Sequence, residues 1–353
     1  MSFNLLSATK EATPERMTEL LYEGGFLVSG QVTEVGMITS DSVHANTARL
    51  AIAYSHGAKG ALPAKLFLKI CKPGSALFGD NEILFYTRMT PPISPSPAPT
   101  CYHHAYSSET GRYHLLLEDL SDTHQVSWDG EPTLARCLPT VETLARMHAY
   151  WLDHPSLAEA TGRYPDKAVI ERYVSHAEPG LQPLLEDDSL DLSAGEQEIL
   201  REAFSKQPKR MIERANRANA ITFIHGDLNP GNILVPLNPP DRAYLIDHQP
   251  FEWSLTAWLG VSDLAYMMVH WWESEIRRAL EKPLLEAYHE RLTELGVVGY
   301  SWENLWEDYL LCAVQSVYVV TDWCIDPKEK REMRWVWEPQ LRKTLAALKD
   351  LLK

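Results

Sequence analysis

With 353 residues, 45% of them hydrophobic, the chain is long enough for a large core and for two lobes rather than one. Its formal net charge of −15 excludes the basic face that a nucleic-acid partner needs; it serves solubility and exerts a mild pull on a cationic small molecule. Five scattered cysteines without a CxxC pair fit reduced thiols, and Cys101 with His103 and His104 lacks the second ligand cluster that a metal site requires.

Met1–Thr13 has neither a basic start nor an apolar run, so no signal peptide and a cytoplasmic location are expected. Thr13-Pro14-Glu15 then supplies an N-cap, a proline at the first helical position and a first-turn acid. Met17, Leu20 and Leu21 form the buried face of that helix, and Gly24-Gly25 ends it. From Val28 to Cys71 the pattern is that of strands, with Leu50–Tyr54 and Leu66–Ile70 flanking a turn region at Ser55–Pro63. Asp80–Met89 has helical spacing, and the five prolines of Pro91–Pro99 demand an irregular connection. Tyr113–Leu117 reads as a buried strand ending at Glu118-Asp119.

Beyond this point the chain becomes helical. Leu134, Leu138, Val141, Leu144, Ala145, Met147 and Trp151 recur at three- and four-residue steps, which predicts a long amphipathic helix with Pro139 near its start. Two short apolar pieces, Ile221–Ile224 and Ala243–Ile246, each run into a polar cluster, and Leu255–Lys353 returns to helix. The apolar runs Ala257–Trp272, broken by Asp263, and Leu310–Val320 are too polar or too short to span a bilayer. A strand-rich first third followed by helices is an α+β arrangement with its boundary near Leu120.

The chemistry concentrates in His225-Gly226-Asp227-Leu228-Asn229-Pro230-Gly231-Asn232, followed fifteen residues after Asn232 by Asp247 at the end of an apolar strand. Phosphoryl transfer needs a carboxylate to hold the attacking hydroxyl and oxygen ligands to hold Mg²⁺ on the phosphates. Asp227 suits the first task, while Asn232 and Asp247 suit the second.

These residues resemble the catalytic loop of the aminoglycoside phosphotransferase and choline kinase superfamily, small-molecule relatives of protein kinases. Leu245-Ile246-Asp247-His248-Gln249 is similar to the metal-binding segment that follows it. The resemblance implies that Asp227 is the catalytic base and that Asn232 and Asp247 bind Mg²⁺. It further matches Lys69 to the phosphate-gripping lysine, Glu82 to its helix partner, and Leu116–Leu120 (with Glu118 and Leu120) to the hinge that meets adenine through main-chain groups. Leu144–Trp151 resembles a helix of the family in which His148 is packed and hydrogen-bonded, and Asp263 would brace the catalytic loop by accepting backbone hydrogen bonds.

Pro99–Tyr102, Glu118-Asp119-Leu120 and Ile246–Gln249 lean toward the ecdysteroid-kinase-like branch. His248 departs from it, since the usual residue there is aromatic or aliphatic. The phosphate-covering loop falls in Gly36–Arg49, yet Met37–Arg49 has no glycine, so Ser42, His44, Asn46 and Thr47 become the candidate phosphate donors. The tryptophans of the helical half read as core rather than as a cage for a quaternary ammonium. Glu252 and Asp153 are acids suited to an amino substrate.

The resemblance thus implies an α+β, two-lobed protein-kinase-like fold. Residues 1–117 form a nucleotide-binding lobe with a mixed antiparallel sheet, and residues 118–353 form a helical lobe with the catalytic loop and acceptor pocket. The implied activity is transfer of the γ-phosphate of ATP (alternatively GTP), with Mg²⁺, to a hydroxyl of a small molecule: an antibiotic, a sterol-like alcohol or an amino alcohol. Competing readings are weaker. A protein kinase would carry an Ala-Pro-Glu-like segment and a long activation loop after Asp247, a non-catalytic scaffold usually lacks one of the Asp, Asn or Lys positions, and a hydrolase built on Asp227 and His225 would need a nucleophile motif.

Overall fold

The computed structural model describes residues 5–41, 44–72, 79–217, 219–238 and 241–352. Two compact units emerge, residues 1–125 with 246–252, and residues 126–245 with 253–353.

In the first unit the helix α1 (Pro14–Glu23) starts where Thr13 Oγ1 accepts the Arg16 N–H and stops at Gly24. Five antiparallel strands follow: β1 (Val32–Asp41), β2 (Ala45–Tyr54), β3 (Lys65–Cys71), β4 (Cys101–Ser107) and β5 (Arg112–Glu118). They lie in the order β1-β2-β3-β5-β4. Alternation decides which side chains each face receives. Leu50 and Ile52 of β2, Leu66, Leu68 and Ile70 of β3, and Leu116 of β5 pack with Met17, Leu20 and Leu21 of α1 in one core. Each such leucine or isoleucine contributes about 1.5–3 kcal/mol by leaving water. Lys69 stands on the other face of β3, opposite Thr47 and Leu115.

The segment expected to be helical at Asp80–Met89 is a single α-turn, α2 (Asn81–Leu84), widened into a π-helical turn over Phe85–Met89. The widening leaves Phe85, Tyr86 and Met89 buried together with Glu82 and Ile83.

The second unit is mainly helical. The predicted amphipathic helix is α3 (Leu134–Trp151), capped by Thr133, with Val141, Leu144, Ala145, Met147, His148 and Trp151 buried along one face. After α4 (Lys167–Ala177), α5 (Ala194–Ser205) and α6 (Gln207–Ala215) come two short strands, β6 (Ile221–Phe223) and β7 (Ile233–Pro236). β7 pairs with β8 (Tyr244–Leu245). The return to helix is later than the sequence suggests. Ala257–Leu259 is a strand, β9, antiparallel to β6, and helix resumes only at α7 (Val261–Ala265). A three-residue apolar strand inside an apolar run has no periodicity of its own, so only its pairing with β6 distinguishes it.

The remaining long helices are α8 (Ser274–Glu294), α9 (Trp302–Ala313) and α10 (Arg334–Leu351). Trp258, Trp272 and Trp337 are buried core residues, whereas Trp335 is exposed. All five cysteines carry free thiols. Among the described residues no helix is long and apolar enough to cross a membrane.

Candidate active site

The sequence-predicted residues fall into two side-chain clusters, one in each unit. In the first unit Lys69 Nζ donates to Glu82 Oε1 at 2.7 Å and to Asp247 Oδ1 at 2.6 Å. Lys69 is brought there by the face it occupies on β3, and Glu82 by the single turn of α2. Asp247 adopts φ +63°, a left-handed conformation that aspartate tolerates better than most residues.

Glu82 is 1% exposed, whereas Asp247 keeps 41% of its side chain in solvent. Burial pushes the Glu82 carboxyl up, with Lys69 and the Tyr113 hydroxyl pulling the other way. Burial also pushes the Lys69 ammonium down, but its two carboxylate partners outweigh that and raise it. A buried cation with two anions is the arrangement in which the lysine stays charged.

Three residues that the sequence did not single out individually complete this cluster. The Tyr113 hydroxyl donates to Glu82 Oε2, Gln249 Nε2 donates to the same oxygen at 2.9 Å, and the Asp247 N–H donates to the Tyr86 hydroxyl at 3.4 Å. His248, which departs from the family pattern, is buried and stacks on Phe85 with ring centroids 5.2 Å apart. The imidazole therefore packs by its ring face, as an aromatic side chain would.

The other nucleotide-side candidates lie on the sheet and at its end. Asn46 is opposite Ile70, so its side chain belongs to the core-facing side of β2, while Thr47, opposite Lys69, shares the lysine's face. Within the glycine-free stretch around them, Met37–Asp41 of β1 pair with Asn46–Leu50 of β2, and Ser42 lies outside the described residues. Glu118 ends β5, where its N–H bonds to the Thr100 carbonyl at 2.8 Å and its carboxylate accepts the Thr100 N–H at 3.3 Å. The Leu120 carbonyl accepts the N–H groups of Thr123 and His124.

In the second unit the loop from His225 to Asn232 joins β6 to β7. Asp263, 1% exposed at the start of α7, accepts the His225 N–H on Oδ2 and the Gly226 N–H on Oδ1, both at 2.8 Å. This is the brace that the family resemblance implies. Gly226 supports it with φ +79°, which a side chain would strain. Burial alone would raise the Asp263 carboxyl, but His148 and the loop outweigh it and hold it below the ordinary range. His148 is fully buried between Asp263 (Nε2 to Oδ2, 3.1 Å) and the Tyr288 hydroxyl (Nδ1, 2.7 Å), a packed histidine as predicted.

Within that loop Asp227 receives three side-chain donors. Asn229 Nδ2 reaches Oδ1 at 3.1 Å, the Tyr266 hydroxyl reaches Oδ1 at 3.0 Å, and Asn232 Nδ2 reaches Oδ2 at 3.1 Å. Asn232 Nδ2 also donates to the Asp227 carbonyl at 2.9 Å, so its Oδ1 is the atom left to serve a cation. Asn229 Oδ1 accepts the Gly231 N–H at 2.8 Å and makes the turn. Tyr266, missed by the sequence reading, begins a π-helical turn and stacks on His270 at 5.1 Å. Asp153, proposed for an amino substrate, ends the α3 region with its N–H bonded to the Ile221 carbonyl.

Both clusters are rich in oxygen donors with charge-assisted hydrogen bonds, the equipment for polarising phosphates and orienting a hydroxyl. Comparison with known proteins gives the family and the fold. A model described as the ecdysteroid kinase-like family matches residues 75–298, which include Glu82, the whole catalytic-type loop, Asp247 and Asp263. No curated protein is a detectable sequence relative. Among solved structures, an ethanolamine kinase from Plasmodium vivax aligns over 89% of this chain and 81% of its own, with 11% identity and a TM-score of 0.55. The GDP complex of aminoglycoside 2'-phosphotransferase-IIIa aligns over 91% and 94%, with 12% identity and a TM-score of 0.51. At such identities the likeness establishes the kinase-like fold.

Proposed function

This chain belongs to the ecdysteroid kinase-like family, and we propose that it transfers the γ-phosphate of ATP, with GTP as the alternative donor, to a hydroxyl of a small molecule. The observation that carries this reading is the Lys69 ammonium, buried and shared between a closed carboxylate, Glu82, and an open one, Asp247. A cation so placed is suited to meeting the α- and β-phosphates.

In this reading residues 1–117 form the nucleotide lobe, with the main chain of Glu118–Leu120 meeting the base, and residues 118–353 carry the acceptor site. Thr47 is better placed than Asn46 to share phosphate contacts with Lys69. Asn232 Oδ1 and the Asp247 carboxylate are hard oxygen donors and fit Mg²⁺, a cation that takes few protein ligands and fills its shell with water and phosphate. When bound, the cation neutralises charge on the phosphates.

Asp227 holds the acceptor hydroxyl and takes its proton as the hydroxyl oxygen bonds to the γ-phosphorus. The bond from phosphorus to the bridging oxygen breaks in line, and the nucleoside diphosphate leaves. The three donors on Asp227 fix its rotamer, so catalysis rests on position and charge, with no covalent enzyme intermediate. A cytoplasmic location suits the free thiols and the nucleotide supply.

The test is a phosphotransfer screen of the purified protein with ATP or GTP and Mg²⁺ against pooled hydroxyl compounds, with Asp227→Ala as control. Turnover is expected to fall at least about 10²-fold in the control while nucleotide still binds. Undiminished turnover would remove Asp227 from its role, and absence of nucleotide binding by the wild type would overturn the reading.

A further inference from the structure

Lys69 has two carboxylate partners, and they are held very differently. Glu82 is closed off from water and receives donors on both oxygens: Lys69 on Oε1, and Tyr113 and Gln249 on Oε2. Asp247 is the open partner. Nucleotide phosphates reaching Lys69 would exchange with the open contact, so something must hold the closed one still.

Gln249 is suited to that task by its hydrogen-bond inventory. Its amide nitrogen lies 2.9 Å from Glu82 Oε2 and 2.8 Å from the Tyr113 oxygen and donates toward both. Tyr113 in turn gives its single hydroxyl hydrogen to Glu82. The amide nitrogen thus faces two oxygens at once, and turning the amide over would set its oxygen against a carboxylate. A glutamate at position 249 has no hydrogen to offer either partner, and a leucine leaves Glu82 with a lost donor in a buried place. Gln249 also lies two residues beyond Asp247, on a turn fastened at each step. Asp247 is tied through its N–H to Tyr86, His248 through its ring to Phe85, and Gln249 to Glu82.

We infer that Gln249, acting with Tyr113, is a positioning residue for the nucleotide: it fastens the Asp247 turn to Glu82, so that Lys69 keeps its place when phosphate displaces Asp247. The inference rests on the kinase reading above and extends it to residues that touch neither phosphate nor acceptor. Such supporting contacts typically change ligand affinity by about 10–100-fold when removed.

The experiment is calorimetric titration of the full chain with a non-hydrolysable ATP analogue and Mg²⁺, with thermal midpoints recorded alongside. Gln249→Leu should weaken binding about tenfold and Gln249→Glu more. Tyr113→Phe combined with Gln249→Leu should be no weaker than Gln249→Leu alone, because the two act as one unit. Tyr318→Phe, which removes a hydroxyl bonded to the Ala203 carbonyl at 2.6 Å in the other unit, should leave affinity unchanged and so separates positioning from general loss of stability. Should Gln249→Leu fail to fold, Tyr113→Phe keeps the packed ring and carries the test with the same expected direction. Wild type that binds while the Gln249 and Tyr113 variants stay within about twofold of it overturns this inference and leaves the kinase reading intact. Wild type that binds no Mg²⁺-nucleotide overturns both.

Discussion

The Asp263 carboxylate accepts the main-chain N–H of Gly226 at 2.8 Å, and with its other oxygen that of His225. Two consecutive peptide groups of the catalytic-type loop are thus fixed by one buried side chain. Asp263→Ala leaves both N–H groups and His148 without their acceptor. We expect a loss of about 2–4 kcal/mol in unfolding free energy, read from urea denaturation, because hydrogen bonds to a buried charge are among the costlier to remove. Turnover should fall with it even at temperatures where the variant remains folded.

Lys69→Met strands Glu82 in a buried place without its counter-charge. Breaking a buried pair costs about 3–5 kcal/mol, whereas removing both charges costs much less. The double variant Lys69→Met with Glu82→Gln should therefore be more stable than Lys69→Met alone. A double-mutant cycle in denaturant measures this, and equal stabilities would mean that Glu82 takes up a proton once Lys69 is gone.

Tyr266→Phe deletes one of the donors on Asp227 while keeping the ring against His270. Turnover is expected to fall by about tenfold, with nucleotide affinity unchanged, since a hydrogen bond to a charged group is worth about 1.5 kcal/mol or more. A shift in nucleotide affinity instead would place Tyr266 in the wrong role.

Stability should decline on the acid side of neutrality. Burial pushes His114 and His270 down from 6.5 to about 3. His114 is wired in its neutral form, with Nδ1 accepting the Leu6 N–H at 3.0 Å and Nε2 bonded to His103, which in turn meets Glu23. Between pH 6.5 and 3 the unfolded chain binds these protons and the folded chain does not. Stability is therefore fully present above pH 6.5 and is lost as pH falls, by up to about 1.4 kcal/mol per pH unit for each histidine. His270→Phe should flatten the slope of unfolding free energy against pH in that window, and an unchanged slope would count against its neutral state.

How much of this was legible in the sequence follows the range of the interactions. Asp227 and Asn232 were readable because both sit on one loop, whereas Lys69 and Glu82 stand among other charges on local patterns that do not single them out, so only the family resemblance picked them. Asp263 was readable only through the family resemblance. Tyr113 and Gln249 meet across 136 positions, and no local pattern encodes a partner so far away. Tyr266 begins a π-helical turn, where counting in steps of 3.6 assigns the wrong face. Asn46 and Thr47 differ by one step of register, and that step decides which of them shares a face with Lys69.

The first unit takes its last piece, Ile246–Glu252, from far along the chain. On a ribosome, then, residues 1–125 emerge without the carboxylate of Asp247 and without the amide that caps Glu82. Lys69 and Glu82 can pair at once, but Glu82 lacks its amide donor and Lys69 its second acceptor until the whole of residues 126–245 is synthesised. The N-terminal part carries its whole apolar core within residues 6–116, yet a fragment ending at Gln125 should be less stable than the same unit in the full chain and should gain stability when a peptide spanning residues 246–252 is supplied in trans.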